Sequence, residues 1–486
     1  MSRSADRAGL QFVGGHWIAS TGTGTVAVEN PATTEVLTRV CRGTPDDVDA
    51  AVAAAAAAAP MWAATALDER IAVVRRAAAL LEERAEEIAR TVTAEVGTPL
   101  EVSRAVQVGR PIQVLRALVD AAPLVRWIEQ IDAALVVRGP LGVVAAVTPW
   151  NVPLHQSVAK IGAALLAGCT VVHKPSEVAP SSAYALADAL AEAGLPAGAH
   201  NVITGLGETV GEALACHPGI DGISFTGSTA VGRRIGAVAA QNITRVALEL
   251  GGKGPSIVLR GADVAAAAVA TAARCFTNSG QICAALSRLI VPREELAVAE
   301  QALSAHVGRQ RLGDPLDPAT TLGPLVSGAQ RARVRTLIEA AVGDGARVVA
   351  GGPDAIVPET GYFVAPTVLS DVHPAMPIAR TEVFGPVLCV LPYETEDEAV
   401  EIADDSEYGL VGAVFGADDE HAAMVASRLR LGMVGVNGGR LDVRAPFGGH
   451  RRSGIGREFG VHGIEEFLET TTMNFAAADR IVRPAV

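Results

Sequence analysis

Asn278-Ser279-Gly280-Gln281-Ile282-Cys283 places a lone thiol behind a glycine, in a polar turn between an expected helix and an expected strand. No second cysteine stands within reach of a C-x-x-C pairing. Upstream, Leu248-Glu249-Leu250-Gly251-Gly252-Lys253 carries an acid at the end of an apolar run. A thiol and a carboxylate, each at the edge of regular structure, are candidates for a nucleophile and a base. The competing reading of Cys283 is a buried, inert small hydrophobe, the usual fate of a free cysteine. Cys169, Cys216, Cys275 and Cys389 sit in apolar or helical contexts and fit that description. Cys283 departs from it through its glycine and its polar preface. Glu249 has its own plain alternative, an ordinary acid at a strand end.

Other residue sets suggest a phosphate- and ribose-bearing ligand. Gly227-Ser228-Thr229-Ala230-Val231-Gly232 follows a strand and opens a helix. Glycines there would let a phosphate approach free N–H groups at the positive helix end, although a plain strand-to-helix turn uses the same residues. Gly205-Leu206-Gly207-Glu208-Thr209-Val210-Gly211 has its last glycine one position late for a dinucleotide fingerprint and reads as a structural turn. Lys174 and Glu177 could clamp vicinal hydroxyls, against the commoner alternative of a surface ion pair. A carboxylate there would repel a 2′-phosphate, favouring NAD over NADP. Lysine occurs only at Lys160, Lys174 and Lys253 in an arginine-dominated chain, and all three fall beside motifs. No metal-ligand spacing and no G-x-S-x-G occur, so neither a metal site nor a serine hydrolase is expected.

The elements that must position these groups follow from short apolar runs alternating with helical segments. Val143–Val147, Thr170–His173, Asn201–Ile203, Gly222–Phe225 and Arg245–Leu250 are β-branched and apolar without alternation, as strands buried on both faces should be. Helix-length segments between them fit the crossovers of a parallel sheet. The reading is a Rossmann-like, doubly wound α/β domain. Its ligands bind at the carboxyl ends of strands, where Thr148–Asn151, Lys174–Glu177, Thr226–Thr229 and Glu249–Gly252 fall. A second α/β domain begins at Pro255–Leu259. It runs through a helix before Cys283, a strand at Arg288–Val291, helices near 294–309 and 327–343, and strands near 387–392, 410–415 and 433–437. Before these domains, helices are expected from Thr44 to about Ala59 and, unbroken, from about Asp68 to Glu95, stopped by Gly97 and Pro99. Arg451 to Gly460 reads as a glycine-rich loop.

The bulk properties agree. A chain of 486 residues, 49% hydrophobic and 19% charged, needs more than one core. A net charge of −13 argues against nucleic acid or an anionic membrane as partner. Met1 to Leu10 lacks an apolar signal-peptide core, apolar runs are too short to span a bilayer, and six cysteines show no disulfide pattern. A cytoplasmic protein is expected.

Together, Thr148-Pro149-Trp150-Asn151, Lys174-Pro175-Ser176-Glu177, Phe225–Thr229, Glu249–Lys253, Gly280–Cys283, Glu382-Val383-Phe384-Gly385-Pro386, Pro446–Gly449 and Ser453–Glu458 resemble the aldehyde dehydrogenase superfamily over nearly the whole chain. The resemblance implies that Cys283 attacks an aldehyde and that Asn151 and the Cys283 N–H hold the oxyanion. It implies that Glu249 activates the water that releases the acid, and that Lys160 lies near the active site, in a proton relay. For the cofactor it implies contacts from Val147, Pro149, Trp150, Gly227, Ser228, Gly232, Leu250, Gly251, Gln330, Glu382 and Phe384, beside the Lys174 and Glu177 clamp. It divides the chain into a discontinuous NAD-binding domain (1–120 and 141–251) and a catalytic domain (252–450). A small β element (121–140 and 466–486) would build a homodimer or homotetramer.

Three departures matter: Thr381 replaces an acid and is expected to be tolerated because Glu382 remains, Val152 stands where many relatives carry an aromatic, and Gly435 where a large residue is usual. With 4% aromatics, a cage for a quaternary ammonium is not expected. The alternatives are a CoA-acylating semialdehyde dehydrogenase, which the presence of Glu249 disfavours, and a non-catalytic protein that kept the fold. Esterase activity at Cys283 would be a side reaction of the same thiol.

Overall fold

The computed structural model describes Arg7 and residues 9–482. Part of the Met1–Leu10 reading and the end of the 466–486 segment lie outside the described residues. Five parallel strands (Arg245–Glu249, Gly222–Thr226, Val143–Val147, Thr170–Lys174, His200–Val202) lie side by side in that order. The chain runs from 143–147 outward to 200–202, then returns to the other side of 143–147. The order therefore reverses between Val143–Val147 and Gly222–Thr226. A parallel sheet opens a crevice at such a reversal, because the loops leaving the two strands diverge to opposite faces. Trp150 and Asn151 leave one of these strands, Gly227 and Ser228 the other.

The sheet is larger than expected and its edges are antiparallel. Leu10–Val13 and His16–Ala19 extend one edge, and Gly454–Ile455 pairs with Leu248–Glu249 on the other. The expected glycine-rich loop thus contains a strand. Gly454 makes it feasible: at φ 140° its missing Cβ would lie 1.8 Å from the Leu248 carbonyl oxygen. Ser453 then donates to the Gly251 carbonyl at 2.7 Å and accepts from Gly409 N at 2.9 Å, which pins the strand end that carries Glu249.

The second sheet has seven strands in the order 347–350, 367–370, 387–393, 288–292, 255–258, 411–415, 433–436, parallel except at the first. Arg347–Ala350 and Thr367–Ser370 were not expected. Residues 250–254 link the carboxyl end of one sheet to the amino end of the other. Cys283 and Glu382 both precede strands of the second sheet, so they face the crevice of the first. Leu468–Asn474, Ala134–Pro140 and Ile128–Ile131 form a separate three-stranded antiparallel sheet.

Two helix expectations are corrected. The first helix, Pro45–Ala63, is capped by Thr44 and Asp47 and runs on through Pro60. The buried Trp62 holds its last turn in place, donating from its indole to the Leu165 carbonyl at 3.1 Å. The second is two helices, Leu67–Glu83 and Ala85–Val96, broken at Arg84, which leaves helical geometry to pair with Glu192. Gly97, at φ 82°, ends it as expected.

Glu95 near that end is buried and accepts from Ser181 N and Oγ. Burial raises its carboxyl to about 7. The folded value lies above the unfolded one, so its contribution is fully present below the unfolded value and is lost as pH rises through the folded value. Glu95→Gln is therefore expected to stabilise the protein by roughly 2–3 kcal/mol at about pH 8 and little at about pH 4. Unfolding at the two pH values checks this; equal effects at both would refute the burial account.

Candidate active site

Three successive residues build the turn before Cys283 in left-handed backbone: Asn278 (φ 53°), Ser279 (φ 56°) and Gly280 (φ 74°). At Gly280 a side chain is impossible, since its Cβ would lie 2.1 Å from the Gly385 carbonyl oxygen. The turn seats Cys283 against the Glu382–Pro386 segment. Asn278 donates to the Asn151 carbonyl at 3.0 Å, and Gln107 donates to the same oxygen at 2.9 Å. Asn151 Nδ2 donates to the Gln281 carbonyl at 2.9 Å, an amide nitrogen whose second N–H is directed by the same geometry.

Cys283 is half-buried on the wall of a cleft of about 310 Å³. Pro149, Trp150, Asn151, Gly227, Ser228, Leu250, Gly251, Gln330, Glu382 and Phe384 share that wall. Trp150 meets Phe384 edge-on with ring centroids 5.6 Å apart. Glu382 accepts from Gly252 N at 3.0 Å, and a Cβ at Gly251 would lie 2.3 Å from its other oxygen, so only glycine admits the carboxylate there. Gln330 donates to the Phe384 carbonyl at 2.8 Å. Arg333, which the sequence reading did not single out, also lines the cleft and donates to the Glu382 carbonyl at 2.6 Å. Its only sequence signal is a position one turn beyond Gln330 on the same helix.

Lys174, Glu177, Val147 and Gly232 lie off that wall. Lys174 is buried at the next strand end and donates to Glu177 at 3.2 Å and to the Pro175 carbonyl at 3.0 Å. Burial draws its pKa down, against the opposing charge of Glu177. Val147 lies beside Lys174 in the sheet register. Ser228 caps helix Thr229–Ala239, accepting from Val231 N at 3.3 Å, and is exposed. Gly232 serves packing, because a Cβ there would lie 2.4 Å from Leu250.

Glu249 and Lys160 meet in a second, tighter place. Lys160 is fully buried and donates to Thr226 Oγ1 at 2.6 Å and to Glu458. Glu249, Lys160, Arg457 and Glu458 line a void of about 10 Å³, enough for about one water. Both Glu249 oxygens are buried without a hydrogen-bond partner among the described residues. Burial above all, then the Glu458 charge, raises the Glu249 pKa, while Lys160 and Arg457 oppose them. Burial also pushes the Cys283 thiol up to about 12, with the charges of Glu249, Glu382 and Glu458 adding to it. Glu458 was part of a motif in the sequence but had no role assigned there. Of the other cysteines, Cys216 corrects the buried expectation: it ends a short surface helix, Glu212–Cys216, and is exposed.

A family model for the aldehyde dehydrogenase family matches residues 17–473. The chain belongs to the aldehyde dehydrogenase family. A curated relative, 3-succinoylsemialdehyde-pyridine dehydrogenase of a Pseudomonas species, is 43% identical over 462 residues, 94% of this chain and 96% of its own. Among solved structures, aldehyde dehydrogenase C of Pseudomonas syringae, a cysteine-to-alanine mutant complexed with NAD+ and octanal, is 44% identical with a TM-score of 0.95, covering 96% of this chain and 97% of that one. Betaine aldehyde dehydrogenase of Staphylococcus aureus, in complex with NAD+, is 36% identical with a TM-score of 0.94, covering 98% of this chain and 96% of its own. The mixed α/β architecture with its parallel-sheet core is that of solved aldehyde dehydrogenases. As an aldehyde dehydrogenase, the protein is an oxidoreductase acting on aldehydes. Among the described residues, no helix is long and apolar enough to cross a membrane.

Proposed function

We propose that the protein oxidises an aldehyde to its carboxylic acid with NAD as acceptor, through a covalent adduct on Cys283. The observation that carries this reading is the shared cleft wall: Cys283, Asn151, Glu382 and the Gly227-Ser228 turn all border one cavity. The residues suit the dinucleotide. Gly251 leaves space beside a carboxylate at Glu382, Ser228 opens a helix whose Thr229 and Ala230 N–H groups have no described partner and suit a pyrophosphate, and Lys174 with Glu177 can grip a ribose. Glu177 sits where a 2′-phosphate would meet like charge, which favours NAD over NADP.

Cys283 Sγ attacks the carbonyl carbon to give a thiohemiacetal, and the free N–H of Asn151 with the Cys283 backbone N–H holds the oxyanion. Each such donor is worth about 3 kcal/mol in a transition state. NAD, when bound, accepts the hydride whose loss turns the adduct into a thioester. Glu249 then takes a proton from the water that releases the acid, with Lys160 and Glu458 beside it to pass charge onward. The 1–120/141–251 and 252–450 division fits a cleft between two sheets. The sheet of 128–131, 134–140 and 468–474, whose last strand is an exposed edge, suits strand addition in a homo-oligomer. Free cysteines throughout fit a cytoplasmic setting.

An aldehyde panel with NAD and NADP side by side tests the reading. NADH formation is expected, with NAD preferred by at least about tenfold, and Glu177→Ser is expected to narrow that margin. Turnover that requires CoA, or cofactor binding with no turnover on any aldehyde, would overturn it.

A further inference from the structure

Gln107, one of the two side chains that clasp the Asn151 carbonyl, stands on irregular backbone. The helical stretch from Leu100 to Ala121 widens into a π-helix at Ser103–Gly109, where Arg110 N donates to the Ala105 carbonyl, five residues back. Pro111 supplies a local cause. It has no N–H for the Gln107 carbonyl, and its ring would crowd that oxygen in a regular helix. The extra residue in the turn rotates Gln107 by about 100° relative to an unbroken α-helix. The result is a fully buried amide that reaches Asn151.

Around it lies a closed set of buried polar groups: Thr98, Gln107, Asn151, Asn278 and Gln281. Gln107 Nε2 donates both to the Asn151 carbonyl at 2.9 Å and to Thr98 Oγ1 at 3.0 Å. Thr98 donates to Asn278 Oδ1 at 2.5 Å, and Asn278 Nδ2 donates to the same Asn151 carbonyl at 3.0 Å. That carbonyl can only accept, so both amides turn their nitrogens to it and the single Thr98 proton must go to Asn278. The Asn151 side chain is held as well, through Nδ2 to the Gln281 carbonyl at 2.9 Å. Gln281 is fixed in turn, donating to the Asn278 carbonyl at 3.2 Å and accepting from Val326 N at 2.9 Å. Main chain and side chain of Asn151 are thus both clamped, and one side-chain N–H is left without a described partner. Stability does not account for the Gln107 amide: its Oε1 is buried with no hydrogen-bond partner among the described residues. A leucine there would still leave the Asn151 carbonyl and Thr98 bonded to Asn278.

We propose that Gln107 is a positioning residue for the oxyanion: with Thr98 and Asn278 it fixes the plane of the Asn151 peptide, and with it the direction of the remaining Nδ2 N–H. This rests on the proposed role of Asn151. A donor fixed before charge develops needs no reorganisation when the charge appears. Misplacing such a group by about 1 Å can cost about 10²-fold in rate. Gln107 touches neither substrate nor cofactor in this scheme and acts only through Asn151.

The test is a double-mutant cycle read in the single-turnover rate of NADH formation. Asn151→Ala is expected to lower that rate by about 10²- to 10³-fold. Gln107→Leu alone is expected to lower it by about 10- to 100-fold with NAD affinity unchanged. In the Asn151→Ala background, where the clasped carbonyl persists but the donor is gone, Gln107→Leu should cost less than about twofold. Thr98→Val should behave like Gln107→Leu, and Thr98→Ser, which keeps the hydroxyl, like the wild type. A Gln107→Leu effect of equal size in both backgrounds, or no effect of either Gln107→Leu or Thr98→Val, overturns the proposal. Hydrogen exchange in peptides spanning 148–156 supplies a readout without chemistry, expected to quicken in Gln107→Leu and Thr98→Val but not in Thr98→Ser. If exchange responds in that way while Asn151→Ala keeps the wild-type rate, the clasp on Asn151 stands and its oxyanion role falls.

Discussion

Replacement of Cys283 by alanine is expected to lower NADH formation by at least about 10⁴-fold with every aldehyde the enzyme accepts, while NAD binding persists. Among the described residues, the thiol is the only nucleophilic sulfur on the cleft wall, whereas the dinucleotide contacts proposed above come from other residues. Stopped-flow absorbance and calorimetric NAD binding separate the two; turnover above a few per cent of wild type would end the assignment. The same thiol gives a pH dependence. Burial, with the carboxylates of Glu249, Glu382 and Glu458, pushes Cys283 up to about 12. The reactive form is the thiolate, so raising the pH increases its fraction, about tenfold per unit while the thiol predominates. Alkylation at Cys283 should therefore accelerate from neutral to alkaline pH. Cys216 is exposed and will also react, so the rate assigned to Cys283 is the part that Cys283→Ala removes. A Cys283 rate independent of pH below about 8 would mean a preformed thiolate.

The strand ends were legible because a strand buried on both faces reads as a short apolar run, and the polar or glycine-rich residues that follow it must be a turn. This placed Asn151, Lys174, Ser228 and Glu249 at one sheet edge before any contact was known. The left-handed turn before Cys283 was only half legible: Gly280 marks it, but the demand comes from Gly385, over a hundred residues away. The clasp of Gln107 and Asn278 on Asn151 spans 44 and 127 residues and leaves no local periodic trace. Antiparallel Gly454–Ile455 was invisible because two residues are too few to show alternation.

Glu249→Gln is expected to preserve a first turnover and stall the next. Formation of the thioester consumes no water, so mixing the variant with NAD and aldehyde should give a burst of about one NADH per active site. Steady-state turnover should then fall by about 10²- to 10⁴-fold, because hydrolysis of the thioester needs a base to take a proton from water. The amide keeps the shape of the carboxyl in its tight setting beside Lys160 and Glu458 but cannot accept that proton. In the wild type, burial and the Glu458 charge raise the Glu249 pKa, so the basic form gains population as pH rises and the hydrolytic step should quicken with it. Lys160, bonded to Thr226 and Glu458, limits that rise by placing a positive charge nearby. Rapid-mixing absorbance decides the point. A variant that loses burst and steady rate together would place Glu249 at activation of the Cys283 thiol instead, whereas a burst followed by a slow phase assigns it to water.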